Sequence, residues 1–479
     1  MTSAIVTGRD EATGATERLV DWVVTATPQD FPPETIEFTK GLLLKTVTSL
    51  VVGARYPFGE LMVRHAHRAG GNPQAGVAGG GFRTDLESAA FANGTIAHTP
   101  EMEDCFFRPE NRETSSPVWM FPALLSVAEV YGSTGEDVVA AAIVSFDVAS
   151  RLVRGAPGLG VTHGINTCTW WGVPATAAGV ARLIGLDHAA TANAMSIALS
   201  QSCGIGHQTG FDAHKMEAGH SCRAGITAAL MAAEGATGAP DFVEDEHVAF
   251  AVVRASGNAD PAATVAGLGT ERPTVHNVEF KKYPGCGLLH ASVDALTGIL
   301  AEPENQGIAY DDIEWVDTSV SRHTAEYCDR PHPSTLDAAR WSFSWVLAEI
   351  MLEGRITVQT YTDEARLTDP RHREARDKVR VVIEDGLSTG YSGAKVAVHL
   401  RDGRTIRREL TAFRGHPDQP LTPGEIVDVL RPFLEEAAGP TTATQLIDLV
   451  MDLDRQPDVA TLMDLVTNFR DTTPAESTS

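Results

Sequence analysis

The spacing of apolar residues changes twice along this chain, from helical to alternating and back, so one kind of layer cannot serve the whole length. In the first half the period is helical. Leu19, Trp22 and Val23 open it, and Ile36, Leu43, Val47, Leu50 and Val51 follow on one face after Pro33, a first-turn residue. Thr134 with Asp137 resembles a capping box and precedes Val139, Ala142, Ile143, Phe146 and Val153 on one stripe. Asp187 is placed to cap a helix running through Met195 towards Ser200. Ile226, Ala229, Leu230 and Ala233 mark another, opening at Ser221 and stopping near Gly235. Five or more helices without a convincing strand predict a helical domain.

Near Glu271–Pro273 the period shortens. Val379, Val381 and Ile383 alternate with Lys378, Arg380 and Val382, and Val396, Val398 and Leu400 behave similarly. Asp402-Gly403 then separates them from Ile406, Arg408 and Leu410. Asp-Gly between alternating runs is a hairpin signal, because a type I′ turn needs two positive φ angles. With a helical stretch from Leu336 to Leu352, ended by Gly354, these strands predict a smaller α+β domain. Helix returns at Thr422-Pro423-Gly424-Glu425, a full capping box, followed by Ile426, Leu430, Phe433 and Leu434 and then by Leu446, Leu449, Val450 and Leu453. That last segment has too little core to stand alone.

The expected fold is therefore mainly α. A large helical domain is built from residues 1–272 and 415–470, a smaller α+β domain at 273–414 is inserted and able to act as a lid, and 471–479 is a disordered polar tail. A length of 479 residues exceeds what one core usually serves. The 6% aromatic content, with abundant Ala and Gly, suits close helix packing better than a sandwich.

The net charge of −25 argues against nucleic acid and anionic membranes as partners, and no basic run of five or more occurs. An anionic ligand would then need local cations held against the global field, which raises the interest of His and Lys clusters inside apolar segments. The six cysteines form no CxxC or zinc-like spacing and read as free thiols of a reducing compartment. Residues Met1 to Thr16 carry no apolar signal-peptide core and no 18-residue apolar run exists, so the expected location is cytoplasmic. The glycines between Gly76 and Gly81 lack both GxGxxG and the P-loop Lys-Ser/Thr and read as a turn. No GxSxG is present, and nothing points to a nicotinamide, flavin or pyridoxal site.

Four polar islands remain. The first, His98 to Cys105, holds Glu101, Glu103 and Asp104, three carboxylates in four residues. They are unfavourable unless solvated, metal-bound or raised in pKa by one another. A solvated acidic loop and a functional wall are both open there; Pro100 and the lack of a second nearby histidine argue against a metal. The second is His163, beside Gly164 and Asn166 and ahead of Trp170-Trp171-Gly172, where a plain turn histidine is the bland alternative. The third, His207 to His220, carries His214, Lys215 and Glu217 just before the helix expected from Ser221. Cations oppose the helix dipole there, and the free N–H groups make an anion site as reasonable as a solvated loop. The fourth runs from Phe280 through Lys281, Lys282, Tyr283, Pro284 and Cys286 to His290, at the expected domain junction; a basic linker is its bland reading.

In order and spacing these islands resemble the MmgE/PrpD family, which includes 2-methylcitrate dehydratases and cis-aconitate decarboxylases. The resemblance covers roughly Leu19 to Glu436. It also rests on Pro122-Ala123-Leu124 with Ala128-Glu129, on Arg182-Leu183-Ile184-Gly185-Leu186, on Gly219 with Arg223-Ala224-Gly225, and on Ser342-Phe343 ahead of Leu352-Glu353-Gly354. It implies a helical domain with an inserted α+β lid, a homodimer, and chemistry on small di- or tricarboxylates without cofactor or metal. His163 and Lys281 match the family pattern directly. Glu101 stands where Asp is usual, Cys105 where Thr is, and Ser115 where a His is. His214 falls on the usual Lys with Lys215 one position later, Glu217 replaces a His, and Trp345 replaces a Tyr of the decarboxylases.

Deprotonation next to a carboxylate concentrates negative charge, so the expected machinery is a proton-transfer group and carboxylate clamps. His163 is assigned the proton and Lys281, with Lys215 or His214, the clamp. Glu101 orients a cation or shares the proton work. His98, Asp104, Cys105, Ser115, Lys282, His290 and Trp345 are expected to contact substrate. The expected activity is that of a lyase, a dehydratase or decarboxylase. An epimerase of an amino- or imino-succinate and a non-catalytic carboxylate-binding protein are the rivals.

Overall fold

The computed structural model describes residues 14–106, 116–156, 164–245, 259–384, 387 and 393–470. The protein is mainly α, with a smaller α+β part. Its contacts divide it into two compact units, one of Met1–Thr99, Glu103–Val278 and Ile426–Ser479, the other of Pro100–Met102 and Glu279–Glu425.

Among its described residues the first unit begins with nine helices: α1 (Ala15–Thr25), α2 (Pro33–Ala54), α3 (Pro57–Ala69), α4 (Leu86–His98), α5 (Phe121–Tyr131), α6 (Gly135–Gly155), α7 (Thr167–Leu183), α8 (His188–Leu199) and α9 (Asp212–Ala233). Several start where the capping chemistry indicates. Thr134 accepts a bond from the Asp137 N–H at 3.2 Å and Asp187 from the Ala190 N–H at 2.8 Å, each satisfying one of the first-turn donors. Helix α2 is buried almost all round, as Leu42, Leu43, Leu44, Val47, Leu50, Val51 and Val52 are each fully covered. The glycines at 79 and 81 adopt positive φ, 64° and 70°, in the turn between the short paired strands Ala75–Gly76 and Arg83–Thr84.

Glycine also sets the closest helix approach. A Cβ on Gly219 of α9 would lie 2.2 Å from Thr95 Oγ1 and 2.3 Å from the Phe91 carbonyl oxygen of α4. One on Gly94 would lie 2.9 Å from Gly219 Cα. Helices α4 and α9 therefore meet backbone to backbone, which fixes the residues one turn further along each of them.

The expected helix start at Ser221 is wrong: α9 begins nine residues earlier, at Asp212. Ala213, Lys215, Met216 and Glu217 are good helix formers, and Asp212 supplies the first-turn negative charge that His214 and Lys215 lack. His214 to His220 are thus helical residues, and the anion site imagined ahead of Ser221 has no free helix terminus to use.

The second unit contains α10 (His290–Ala301), α11 (Phe343–Glu353) and α12 (Pro370–Asp377). Its four-stranded sheet comprises β1 (Ile313–Val320), β2 (Val379–Ile383), β3 (Ala394–Leu400) and β4 (Thr405–Leu410), in the order β2-β1-β3-β4. β3 and β4 form the expected antiparallel hairpin, with Val398 opposite Ile406, but its turn is not the expected type I′: Gly403 has φ 90° and Asp402 does not have positive φ. β2 is parallel to β1, with Val316 opposite Val379, and as an edge strand leaves Val382 and Ile383 exposed. β1, one of the two inner strands, has no counterpart among the expected strands. Glu314, Asp317 and Ser319 interrupt its apolar pattern, and the register shifts between Ile313 and Trp315. Helix α10 packs across β3 and β4, and its Ser292 Oγ meets Thr318 Oγ1 of β1 at 2.7 Å. The helix expected over Leu336–Leu352 is two pieces, Leu336–Ala339 and α11, because Ser342 accepts from the Trp345 N–H and starts a new helix.

The chain ends with α13 (Pro423–Ala438), α14 (Pro440–Met451) and α15 (Ala460–Asn468). Thr422 and Glu425 form the capping box in both directions, at 2.8 and 3.3 Å. Among the described residues no helix is long and apolar enough to cross a membrane. The tail expected to be disordered, 471–479, lies outside the described residues.

Candidate functional site

The acidic island is not a solvated loop. His98, Glu103 and Asp104 are each buried, at 1%, 5% and 1% exposure. Helix α4 carries His98 to this position: Asp85 caps its start by accepting from the Ser88 N–H, and Pro100 stops its continuation just past Thr99. Glu103 Oε1 lies 3.7 Å from His98 Nε2. Asp104 pairs with Lys45 of α2 at 3.0 Å, both side chains almost wholly out of solvent. A buried carboxylate is tolerated only with such a partner, since desolvating an isolated charge is costly. Lys45 was absent from the sequence-derived candidates. Its signal was present, a lysine inside the run Leu42-Leu43-Leu44-Lys45-Thr46-Val47.

His214 faces the same cluster from α9. Its ring is edge-on to His98 at 4.7 Å between centroids and tilted to Trp119 at 5.9 Å; Trp119 lies 4.9 Å from His98. His214 Nδ1 lies 3.1 Å from Glu217 Oε2, one helical turn along. Glu217 Oε1 accepts from the Ile205 N–H at 2.9 Å, and the Asn166 amide donates to Oε2. Burial pushes the Glu217 carboxyl up. The bonds and charge of His214, the Ile205 N–H and the Asn166 amide outweigh it, so its pKa falls below the ordinary carboxylate range. Lys215, on the next helical position, points elsewhere: its ammonium pairs with Asp212 at 2.8 Å and lies 5.1 Å over the Phe58 ring.

The second unit has its own buried cation. Lys281 is 3% exposed, with Nζ 3.5 Å from Glu101 Oε1 and 3.4 Å from the Glu101 carbonyl oxygen. Among the described residues Glu101 is the one non-glycine with positive φ, 57°. That conformation costs of order 1–3 kcal/mol and persists where surroundings enforce it. The Gly285 N–H, donating to the Glu101 carbonyl at 3.1 Å, and Lys281 supply that enforcement. Cys286, buried beside them, is raised by burial but pulled below the usual thiol value by its bond with Cys328 and the charge of Lys281. The segment is thus no basic linker.

Other candidates take different places. Lys282 pairs with Asp294 at 2.6 Å, and Asp294 also accepts from Tyr283 Oη and the Arg414 N–H. His290 opens α10, stacked on Tyr283 at 4.5 Å, with Nδ1 3.2 Å from the Cys286 carbonyl. Trp345 is buried in α11 under the Arg376 guanidinium, 5.1 Å from the ring centroid, and its Nε1 has no hydrogen-bond partner among the described residues. Cys105 is half-buried. His163 and Ser115 lie outside the described residues. Within one unit the structure brings His98 and His214 together, and within the other Lys281 and Glu101. Asn166, Glu217, Trp119 and Lys45 join the first group, although none was among the expected contacts. A groove of about 830 Å³ along α14 and α15 is unsuited to an anion: its described lining includes Asp448, Asp452 and Asp464 and no Lys, Arg or His.

Residues 17–262 match the MmgE/PrpD N-terminal domain and residues 283–455 the MmgE/PrpD C-terminal domain. The chain belongs to the MmgE/PrpD family. Among the relatives of this MmgE/PrpD protein, a cis-aconitate decarboxylase of Aspergillus terreus is 25% identical over 477 residues, covering 95% of this chain and 96% of that one. A cis-aconitate decarboxylase-like protein of Aspergillus oryzae is 22% identical, covering 94% and 97%. The Homo sapiens cis-aconitate decarboxylase is 24% identical over 387 residues, 79% of each chain.

Proposed function

We propose that this MmgE/PrpD protein is a lyase, a decarboxylase or dehydratase, acting on a small di- or tricarboxylate. Its cis-aconitate decarboxylase relatives, aligned over nearly the full chain, support the reaction class. The observation that carries the reading to particular residues is the buried Lys281 ammonium held against the strained Glu101. In a protein of net charge −25, a desolvated cation is what an anionic substrate needs, and its attraction is strengthened by the low local dielectric.

In this reading Lys281 binds a carboxylate that is retained through the reaction, and Glu101 sets the ammonium's position. His163 moves the proton. In a dehydration the C–H bond next to a carboxylate breaks, its electron pair forms the double bond, and hydroxide leaves with a proton as water. In a decarboxylation the bond to one carboxylate breaks, its pair passes into the carbon framework, carbon dioxide leaves, and the imidazolium protonates carbon. The homodimer implied by the family resemblance is part of the same proposal and is read by sedimentation velocity.

Lys281→Gln, which keeps a polar end but removes the charge and is one atom shorter, tests the assignment with cis-aconitate as probe. Turnover is expected to fall by about 10²-fold or more; unchanged turnover and KM would remove Lys281 from the clamp.

A further inference from the structure

We propose that His214 is a second proton-transfer residue and that Glu217, braced by Asn166 and the Ile205 N–H, is its positioning residue. The inference rests on reading the chain as an enzyme that moves protons on a small carboxylate, and it gives His214 a different part from the carboxylate clamp expected of that position.

The argument begins with the carboxylate. Three donors converge on Glu217: Ile205 N–H at 2.9 Å, the Asn166 amide, and His214 Nδ1 at 3.1 Å. An ordinary helix-surface pair three residues apart needs neither a backbone donor from a distant segment nor the cap residue of another helix. Here Asn166 caps α7, accepting from the Cys168 N–H at 3.1 Å, while its amide reaches across to α9. The carboxylate is thereby fixed in the ionised form with one oxygen turned to the ring.

An anionic acceptor selects the tautomer. With Nδ1–H donating to Glu217, the Asn166 nitrogen 3.2 Å from Nδ1 gives one of its two hydrogens to Glu217 and none to the ring. The lone pair is then left on Nε2, for which no hydrogen-bond partner exists among the described residues. The His214 and Glu217 side chains are each 12% exposed, so the imidazolium formed on proton uptake is stabilised by a nearby anion with little solvent screening. The other faces of the ring meet His98, which has Glu103 at 3.7 Å, and Trp119.

A clamp needs a permanent cation, whereas a neutral imidazole with a free Nε2 is a base. In the step assigned here Nε2 takes the proton from the carbon next to a carboxylate. The C–H electron pair stays on that carbon, delocalised into the carboxylate, and the imidazolium later returns the proton. No oxidant, reductant or further reactant is required.

The test combines three variants, Glu217→Gln, Glu217→Asp and His214→Asn, with two readouts. Histidine ring NMR, with the His214 signal identified by its loss in His214→Asn, should show Nδ1–H in the wild type. The preference for that tautomer should be lost in Glu217→Gln and return in Glu217→Asp. With cis-aconitate in heavy water, His214→Asn should lose about 10²- to 10⁴-fold in turnover or deuterium incorporation. Turnover should fall in Glu217→Gln as well and recover in part in Glu217→Asp. An unchanged tautomer in Glu217→Gln, or a His214→Asn variant as active as wild type, overturns the assignment while leaving the lyase reading intact. A wild-type protein inert towards cis-aconitate, 2-methylcitrate and aminosuccinate overturns the lyase reading, and this assignment with it.

Discussion

Replacing Gly219 by Ala tests how the two histidine-bearing helices are held together. The added Cβ would lie 2.3 Å from the Phe91 carbonyl oxygen and 2.2 Å from Thr95 Oγ1. Thr95 can turn away, but Phe91 O belongs to the α4 backbone and cannot. Restoring an ordinary contact of about 3.3 Å requires the helices to part by roughly 1 Å. Overpacking of this kind costs about 1–3 kcal/mol. With a urea slope of about 3 kcal/mol per molar, the midpoint should fall by roughly 0.3–1 M. Because His98 lies four residues after Gly94 on α4 and His214 five residues before Gly219 on α9, the same shift disturbs their 4.7 Å ring contact. A misplacement near 1 Å costs on the order of 10²-fold in turnover where the groups act in catalysis. Gly424→Ala is the control: nothing lies within 4 Å of its added Cβ in α13, and Ala is the better helix former, so its midpoint should hold or rise. A Gly219→Ala protein matching wild type in both urea midpoint and cis-aconitate turnover would refute the close approach.

Three further outcomes follow from the same structure. His163→Ala should lower turnover by orders of magnitude with circular dichroism unchanged; full turnover would end its proton-transfer assignment. His276, stacked on Phe38 at 5.4 Å and bonded to Thr35 Oγ1 at 2.8 Å, has its pKa lowered to about 4, chiefly by burial and next by Arg272. The unfolded chain therefore takes up this proton first as pH falls. The stability it confers is whole above about 6.5 and is lost towards pH 4, by about 3 kcal/mol; His276→Gln should flatten urea midpoints across that window, and an unchanged slope would contradict it. Thr422→Ala removes one half of the α13 capping box, whose Glu425 is held at about 2, chiefly by Arg414 and then by Thr422. It should cost about 1 kcal/mol in urea unfolding, and no loss would mean the cap adds nothing.

Much of the fold was legible because local and global preferences agree. Thr134, Asp187 and Thr422 cap helices where their side chains can reach first-turn N–H groups, and Asp402-Gly403 turns the β3–β4 hairpin. β1 was not legible, because its inward residues are interleaved with Glu314, Asp317 and Ser319 and its register shifts. The start of α9 was missed for an electrostatic reason: His214 and Lys215 look adverse to the dipole until Asp212 and Glu217 are seen beside them. For the candidate site, residue types were readable but partnerships were not. Sequence separation hides Lys45 from Asp104, Asn166 from Glu217 and Lys281 from Glu101, and tertiary contacts join each pair.

The central claim is lyase chemistry on a small polycarboxylate. Its most direct measurement follows purified protein by NMR in heavy water with cis-aconitate, 2-methylcitrate and aminosuccinate supplied separately. Conversion of one tri- or dicarboxylate with release of carbon dioxide or water is the expected result. Deuterium exchange or stereochemical inversion without a leaving group would instead make the protein an epimerase, and binding without any chemical change would contradict enzymatic function altogether.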